Sequence, residues 1–168
     1  MIISNLYHFE RWEKVNGLWV NSHKSEKKNL VVTQGLNYWQ TNFWKGSAYT
    51  AAFYIGLIDN ASFSAIALTD TAAQINGTNG WLESSHYSET VRQTLTMGTA
   101  TSGQLDNTLA TAIFTCNSGF TLNGAFISTS NVKAGTSGNL IGAASAPSPI
   151  IYASGQQIRI VISSTISN

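Results

Sequence analysis

The densest group of reactive side chains lies in Trp81-Leu82-Glu83-Ser84-Ser85-His86-Tyr87-Ser88-Glu89-Thr90-Val91-Arg92. Two carboxylates, a histidine, a tyrosine and an arginine in one short stretch are the residue types of an acid/base site. Glycosidic cleavage needs two carboxyl groups on opposite sides of a scissile bond at a set separation. Glu83 and Glu89 supply the types, and sequence leaves their spacing open. The competing use is mechanical: Arg92 pairs with Glu83 or Glu89 and pins a long loop across a sandwich of sheets. Loop pairing is the expectation, so no residue is assigned to catalysis and the chain is expected not to be an enzyme.

The remaining chemistry-bearing residues are dispersed. His8, His23 and His86 lack metal-ligand spacing. Cys116, the one cysteine, ends the strand-like Ile113-Phe114-Thr115-Cys116 and reads as a small buried apolar residue. A cysteine nucleophile would require an accessible, histidine-paired setting. A nucleophile elbow, a phosphate-cradling glycine loop and a zinc-protease helix motif are all missing from the sequence. Gly77-Thr78-Asn79-Gly80 reads as a turn. Asp59-Asn60 and Asp106-Asn107 could collect calcium, but without an alternating acidic ladder they are expected to form turns. No metal or cofactor is expected.

The elements that would hold these residues are mostly strands. Tyr7 to Trp12 alternates rings with polar groups, Val15-Asn16-Gly17 carries an Asn-Gly turn signal, and Leu18-Trp19-Val20 returns. The hydrophilic run from Asn21 to Lys28 reads as a linker or exposed loop. One helix is expected over Thr33–Trp44, with Thr33 as N-cap, Lys45-Gly46 as the stop, and Leu36, Trp39 and Phe43 forming its apolar face. Trp44 lies off that stripe. The apolar run from Ala51 to Ile58 reads as a central strand, and Leu68 to Ile75 as a helical turn capped by Thr69 or Asp70. Further strands are expected at Val91–Met97, Leu109–Cys116, Phe120–Thr129, Asn139–Ala143 and Gln157–Ser163. Glycine- and proline-bearing turns separate them, Pro147-Ser148-Pro149 among them.

This grammar predicts a mainly β chain, a β-sandwich or jelly roll with one amphipathic helix near the N-terminus and an N-terminal β-hairpin arm. Residues 1–28 form the hairpin arm and linker, and residues 29–168 the sandwich domain. A two-stranded hairpin is marginal alone in water, so its rings must pack on the chain's own body or on a neighbour.

Composition narrows the function. Charged residues make up 10% of the 168-residue chain, far below the usual quarter, and threonine, serine, asparagine and glycine replace them. Such a surface suits proteins covered by neighbours in an assembly. The net charge of +1 gives no pull on nucleic acid or anionic lipid. Charge is nevertheless uneven: residues 1–45 carry six of the nine basic side chains against Glu10, Glu13 and Glu26, and no acidic residue follows Asp106. The N-terminus is too short and polar for a signal sequence, and no apolar run approaches the roughly 18 residues of a membrane span. The chain is expected to be made in a cytoplasm and to stay soluble until it meets its partner.

The order of several motifs is distinctive. Asn29-Leu30-Val31-Val32-Thr33-Gln34-Gly35-Leu36-Asn37 is followed by Phe53-Tyr54-Ile55-Gly56-Leu57-Ile58, Thr69-Asp70-Thr71-Ala72, and Gly80-Trp81-Leu82-Glu83 with Tyr87-Ser88 and Arg92. Leu122-Asn123-Gly124-Ala125-Phe126-Ile127 and Gly135-Thr136-Ser137-Gly138-Asn139-Leu140-Ile141 continue the pattern. From Asn29 to about Ser163 it resembles tailed-bacteriophage virion structural proteins, among them jelly-roll head decoration, or cement, proteins. The stretch Ala153-Ser154-Gly155-Gln156-Gln157 departs from that pattern, which tends to place an acidic residue after the glycine. The resemblance carries no catalytic residues. It implies a virion location on the capsid surface, the major capsid protein as partner, self-association as a homodimer or homotrimer, and neither nucleic acid nor membrane as ligand. Trp12, Trp19 and Trp44, with Lys24, Lys27 and Lys28, are the expected partner-binding residues. The alternative expectation is a head-fibre, tail-fibre or baseplate module that stacks exposed rings on a host glycan.

Overall fold

The computed structural model describes residues 2–44, 52–76 and 78–167, leaving aside the side chains of Ile2, Ile3, Trp44 and Ser167. Two antiparallel sheets face each other. The first contains β1 (Ile2–Val15), β2 (Leu18–Lys28), β7 (Gln104–Asp106), β8 (Ala112–Thr115) and β11 (Gln157–Ser167). Its order is β2-β1-β11, with β7 and β8 sharing the far edge of β11. The second contains β3 (Leu30–Val31), β4 (Phe53–Asp59), β5 (Leu82–Glu83), β6 (Gln93–Leu95), β9 (Phe120–Ser128) and β10 (Leu140–Tyr152). It runs β3-β10-β9-β4, with β5 and β6 on the last edge. The expected β-sandwich forms, and among the described residues it carries a single α-helix, α1 (Thr33–Trp44).

Side-chain alternation explains the core. Tyr7 and Phe9 of β1, Ile158, Ile160 and Ile162 of β11, and Ala112 and Phe114 of β8 point inward from the first sheet. Ile55, Leu57, Leu122, Ile127 and Ile150 meet them from the second. The apolar run of β4 is continuous because both of its faces are covered. Ile55 and Leu57 join the inter-sheet core, while Ile58 packs outward with Trp81, Ile75 and Phe126 beneath the segment between β4 and β5. That segment is tied down by Asp70, whose carboxylate accepts from the Trp81 indole (2.9 Å) and the Ala67 amide (3.0 Å).

The hairpin of β1 and β2 turns at Asn16-Gly17, both at positive φ (52° and 81°), as a two-residue turn of this twist requires. Trp12 pairs with Gln157 and Ile2 with Ser167, so β1 lies alongside β11 as an integral member of the sheet. Residues 21–28 are strand and not the expected linker: they pair with β1 from Lys28 opposite Leu6 to Asn21 opposite Trp12. An edge strand with one wet face has the charged composition of a loop, hence the misreading.

Four other expectations change. The stripe of Leu36, Trp39 and Phe43 is not the packed face of α1, since Leu36 is 43% and Phe43 63% exposed. The helix seats on β10 through buried Gly35, where an added Cβ would lie 2.1 Å from the Ile141 carbonyl oxygen. The first helical hydrogen bond goes from the Leu36 amide to the Val32 carbonyl, which puts Thr33 inside the first turn. Ala72–Gln74 form a short 3-10 turn preceded by Thr71 with no side-chain cap bond, because Asp70 is engaged elsewhere. Finally, β10 runs on to Tyr152, and Pro147, Ser148 and Pro149 sit in a register shift between Ser145 and Ile150. A bulge on a strand edge tolerates proline, whose missing N–H is not needed there.

Candidate functional site

Alternation along β1 places Leu6, His8, Glu10 and Trp12 on the face of the first sheet turned away from the core. Their neighbours on β11, in register, are Ser163, Val161, Arg159 and Gln157. These side chains are stitched together. The Arg159 guanidinium lies 3.9 Å from the Trp12 ring centroid, and the Trp12 indole donates to Glu10 Oε2 at 2.9 Å. Glu10 also faces Lys24 Nζ at 3.5 Å, and His8 Nδ1 stands 3.3 Å from Glu26 Oε2. Cation over ring, ring to carboxylate and carboxylate to cation form one row across three strands. Each ion pair joins a largely covered side chain, Glu10 or His8, to an exposed one, and pairs open to solvent contribute little to stability individually. What they do is hold a large ring and several charges in fixed positions on an open surface.

Beyond Trp12 the hairpin outruns β11. Lys14 lies opposite Trp19, its ammonium 5.4 Å from the indole centroid. Val15, Leu18 and Val20 are 49%, 73% and 43% exposed. Glu13 is held by the Gln156 amide at 3.0 Å, which fixes the base of this projecting end. The structure therefore puts Trp12, Trp19 and Lys24 on one surface, with Lys27 and Lys28 exposed farther along β2. The side chain of Trp44 lies outside the described residues. Sequence reading missed Arg159, Glu10 and the apolar tip. The available signal was alternation in both strands, but the Glu10–Arg159 pairing that unites them appears only with the β1–β11 register.

The Glu83–Arg92 stretch is a lock with no room for substrate. Arg92 Nε donates to Glu83 Oε1 (2.9 Å) and its Nη2 to Glu83 Oε2 (2.7 Å), both side chains being fully enclosed. The guanidinium also donates to the Ser130 and Gly135 carbonyls, and the Ala134 amide donates to Glu83 Oε2. The loop between β9 and β10 is thereby tied to β5. Glu89 is elsewhere, accepting from the Thr115 amide at 3.0 Å. Lys133 donates to the Tyr87 carbonyl (2.7 Å) with its ammonium 3.6 Å from the Tyr87 ring centroid. Burial, reinforced by the charge of Glu83, pushes the Tyr87 phenol well above its ordinary range. The two carboxylates share no opening, so the paired-carboxylate geometry of a glycosidase is not formed.

One further line of groups has the residue types of a hydrolytic triad. His86 Nδ1 is 2.8 Å from Ser118 Oγ, and His86 Nε2 is 3.7 Å from Asp59 Oδ2. The second distance is too long for the hydrogen bond that orients a catalytic base. Asp59 accepts instead from the Ser84 hydroxyl (3.2 Å) and the Ala61 amide (2.8 Å), and the Ser118 hydroxyl donates to Asn117 (3.2 Å). These bonds form turns at the ends of β4 and β8. Asp106 likewise accepts from the Thr108 amide, which holds its carboxyl below the usual range, while Asn107 pairs with the β11 backbone at Ile160 and Ile162. Cys116 is buried, and burial pushes its thiol up to about 12, which leaves it protonated. A cleft of about 510 Å³ opens between the sheets near α1, lined by Trp39, Phe53, Leu95, Ile127, Ile141 and Ile162 among others, and its described lining has no ionisable side chain. Among the described residues no three metal-ligating side chains converge, and no helix is long and apolar enough to cross a membrane.

The fold class is thus a two-sheet antiparallel sandwich whose most structured open surface is the outer face of its first sheet. No family model matches the chain, and no curated protein matches it.

Proposed function

We propose that this protein is a non-enzymatic adhesion module of a virus particle, a tailed-phage capsid decoration protein that bridges major capsid protein subunits and stabilises the mature head. The observation that carries the reading is the projecting end of the β1–β2 hairpin, where Val15, Leu18 and Val20 stand exposed on the face opposite Lys14 and Trp19. The hairpin end thus offers an apolar face of Val15, Leu18 and Val20, and on its other side Lys14 with Trp19, which continue the Trp12–Arg159–Glu10–Lys24 row; anchoring rings within a polar border are the make-up of a contact hot spot. Low overall charge and the use of most reactive groups inside the fold support the same reading. Many copies on one lattice multiply modest contacts by avidity.

The test is to mix the purified protein with expanded heads that lack it. Binding with a gain in heat or chelator resistance is the expected result. Absence of both binding and protection overturns the reading.

A further inference from the structure

We infer that β2 is a self-pairing edge, through which two copies of the chain join antiparallel about a twofold axis at Ser25. The inference gives the expected self-association a strand and a register, and it does not depend on the capsid reading. β2 pairs with β1 on one side; β10 of the second sheet comes close beside β2, with Lys27 and Lys28 near Ala144 and Ser145, but among the described residues no strand hydrogen-bonds to the other edge of β2.

The phase of the existing ladder decides which backbone groups are left over. The Asn29 amide donates to the Asn5 carbonyl at 2.9 Å, and Lys28 stands opposite Leu6. Hydrogen-bonded pairs alternate along an antiparallel ladder, so His23, Ser25 and Lys27 turn their N–H and C=O groups toward β1. Lys24, Glu26 and Lys28 turn theirs outward.

A twofold partner can exchange hydrogen bonds only by setting these even-numbered residues against one another. Centred on Ser25, the pairing puts Lys24 opposite the second copy's Glu26, and Glu26 opposite its Lys24. Centring on Lys24 or on Glu26 would oppose each to itself, and centring on Lys27 would oppose two lysines near the strand's end. Like charges directly opposite are unfavourable and opposite charges favourable, so one register stands out. It also extends the charge row already present, since Lys24 faces Glu10 and Glu26 faces His8 within each copy.

A second observation agrees. Ser25 Oγ and His23 Nε2 are buried side-chain atoms without a hydrogen-bond partner. Unpartnered buried polar atoms are uncommon and call for an explanation. In the Ser25-centred register the two Ser25 side chains face each other, and His23 faces the second copy's Lys27. Rotation about the serine χ1 angle lets the hydroxyls bond.

The experiment is sedimentation of the full chain, with variants. The wild type should be a dimer. Lys24→Pro removes an outward N–H without touching the β1 ladder, and should give a monomer. Lys24→Glu and Glu26→Lys should each weaken the dimer about tenfold, and together restore it; this swap keeps the test sound if the proline variant fails to fold. Ser25→Cys should form an intersubunit disulfide under mild oxidation, because buried Cys116 does not compete. A monomeric wild type, or a dimer indifferent to both the charge reversals and the proline, overturns the inference. A dimer that gives no Ser25→Cys cross-link overturns the register. A wild-type dimer that ignores heads sinks the capsid reading and leaves this one standing.

Discussion

Arg92 meets Glu83 end-on, with two parallel N–H···O bonds of 2.9 and 2.7 Å between side chains that are both fully enclosed. The face of the guanidinium lies over the Phe126 ring at 5.0 Å, and its other bonds reach carbonyls of the loop beyond β9. The pair fastens β5, β9 and the β9–β10 loop to one point.

Removing one member strands a charge in the interior. Arg92→Met or Glu83→Gln alone should cost about 3–5 kcal/mol, whereas Glu83→Leu with Arg92→Met should cost less than either. Denaturant unfolding of the three variants is the measurement. Near-neutral single variants would mean that the pair does not bear on stability.

The projecting end of the hairpin should behave in the opposite way. Leu18→Ser and Trp19→Ala alter the exposed end of the hairpin and should shift stability by no more than about 0.5 kcal/mol. If this end anchors the protein on heads, the same variants should lose about 2 kcal/mol or more of binding, close to thirtyfold in affinity. Titration onto expanded heads, beside a thermal melt, separates the two effects.

Cys116 supplies a pH dependence with a definite sign. Its thiol has an ordinary value of 9.0 and is pushed to about 12 by burial and, secondarily, by the charge of Glu89. The folded state therefore holds this proton more tightly than the unfolded chain. The linked stabilisation is complete below about 9 and is lost as pH rises from there to about 12. Tyr7, Tyr87 and Tyr152, whose phenols are also raised by burial, act in the same direction. Cys116→Ala should flatten the alkaline fall in stability in part, and a thiol reagent at pH near 8 should label the protein no faster than it unfolds. Rapid labelling of native protein would contradict the burial.

Legibility followed the length scale of each interaction. Alternation marked β11 by Ile158, Ile160 and Ile162, and the Asn16-Gly17 turn marked the hairpin, because both are local. The Asn21–Lys28 strand was hidden because its charges face water on an open edge, a pattern that loops share. The buried partner of Arg92 was narrowed to two glutamates and no further: Glu89 is the nearer in sequence, yet the positions of β5 and Ser130 give the guanidinium to Glu83. Arg159 could not be joined to Trp12 at all without the register of two strands more than a hundred residues apart. The helix gave the sharpest discrepancy: its apolar stripe was correctly periodic, yet a backbone contact at Gly35 set its orientation.

That contact yields the last expectation. An ideal Cβ at Gly35 would lie 2.1 Å from the Ile141 carbonyl oxygen and 2.7 Å from its carbon, atoms of the β10 backbone that cannot rotate aside. Gly35 is helical, so alanine would ordinarily favour the helix by about 1 kcal/mol. Here the steric term dominates. Gly35→Ala must lift α1 from β10 and should cost a net 1–3 kcal/mol, about the range of overpacked cores. Gln34 Oε1 now accepts from the Leu140 amide at 2.7 Å and the Ala72 amide at 3.0 Å, and the lift should loosen both bonds. Hydrogen exchange at Leu140 and Ala72, measured with the melting temperature, tests the expectation. Faster exchange at both amides with a lower melting point is the expected result, and an alanine variant as stable as the parent would show that the helix does not seat on β10 through this glycine.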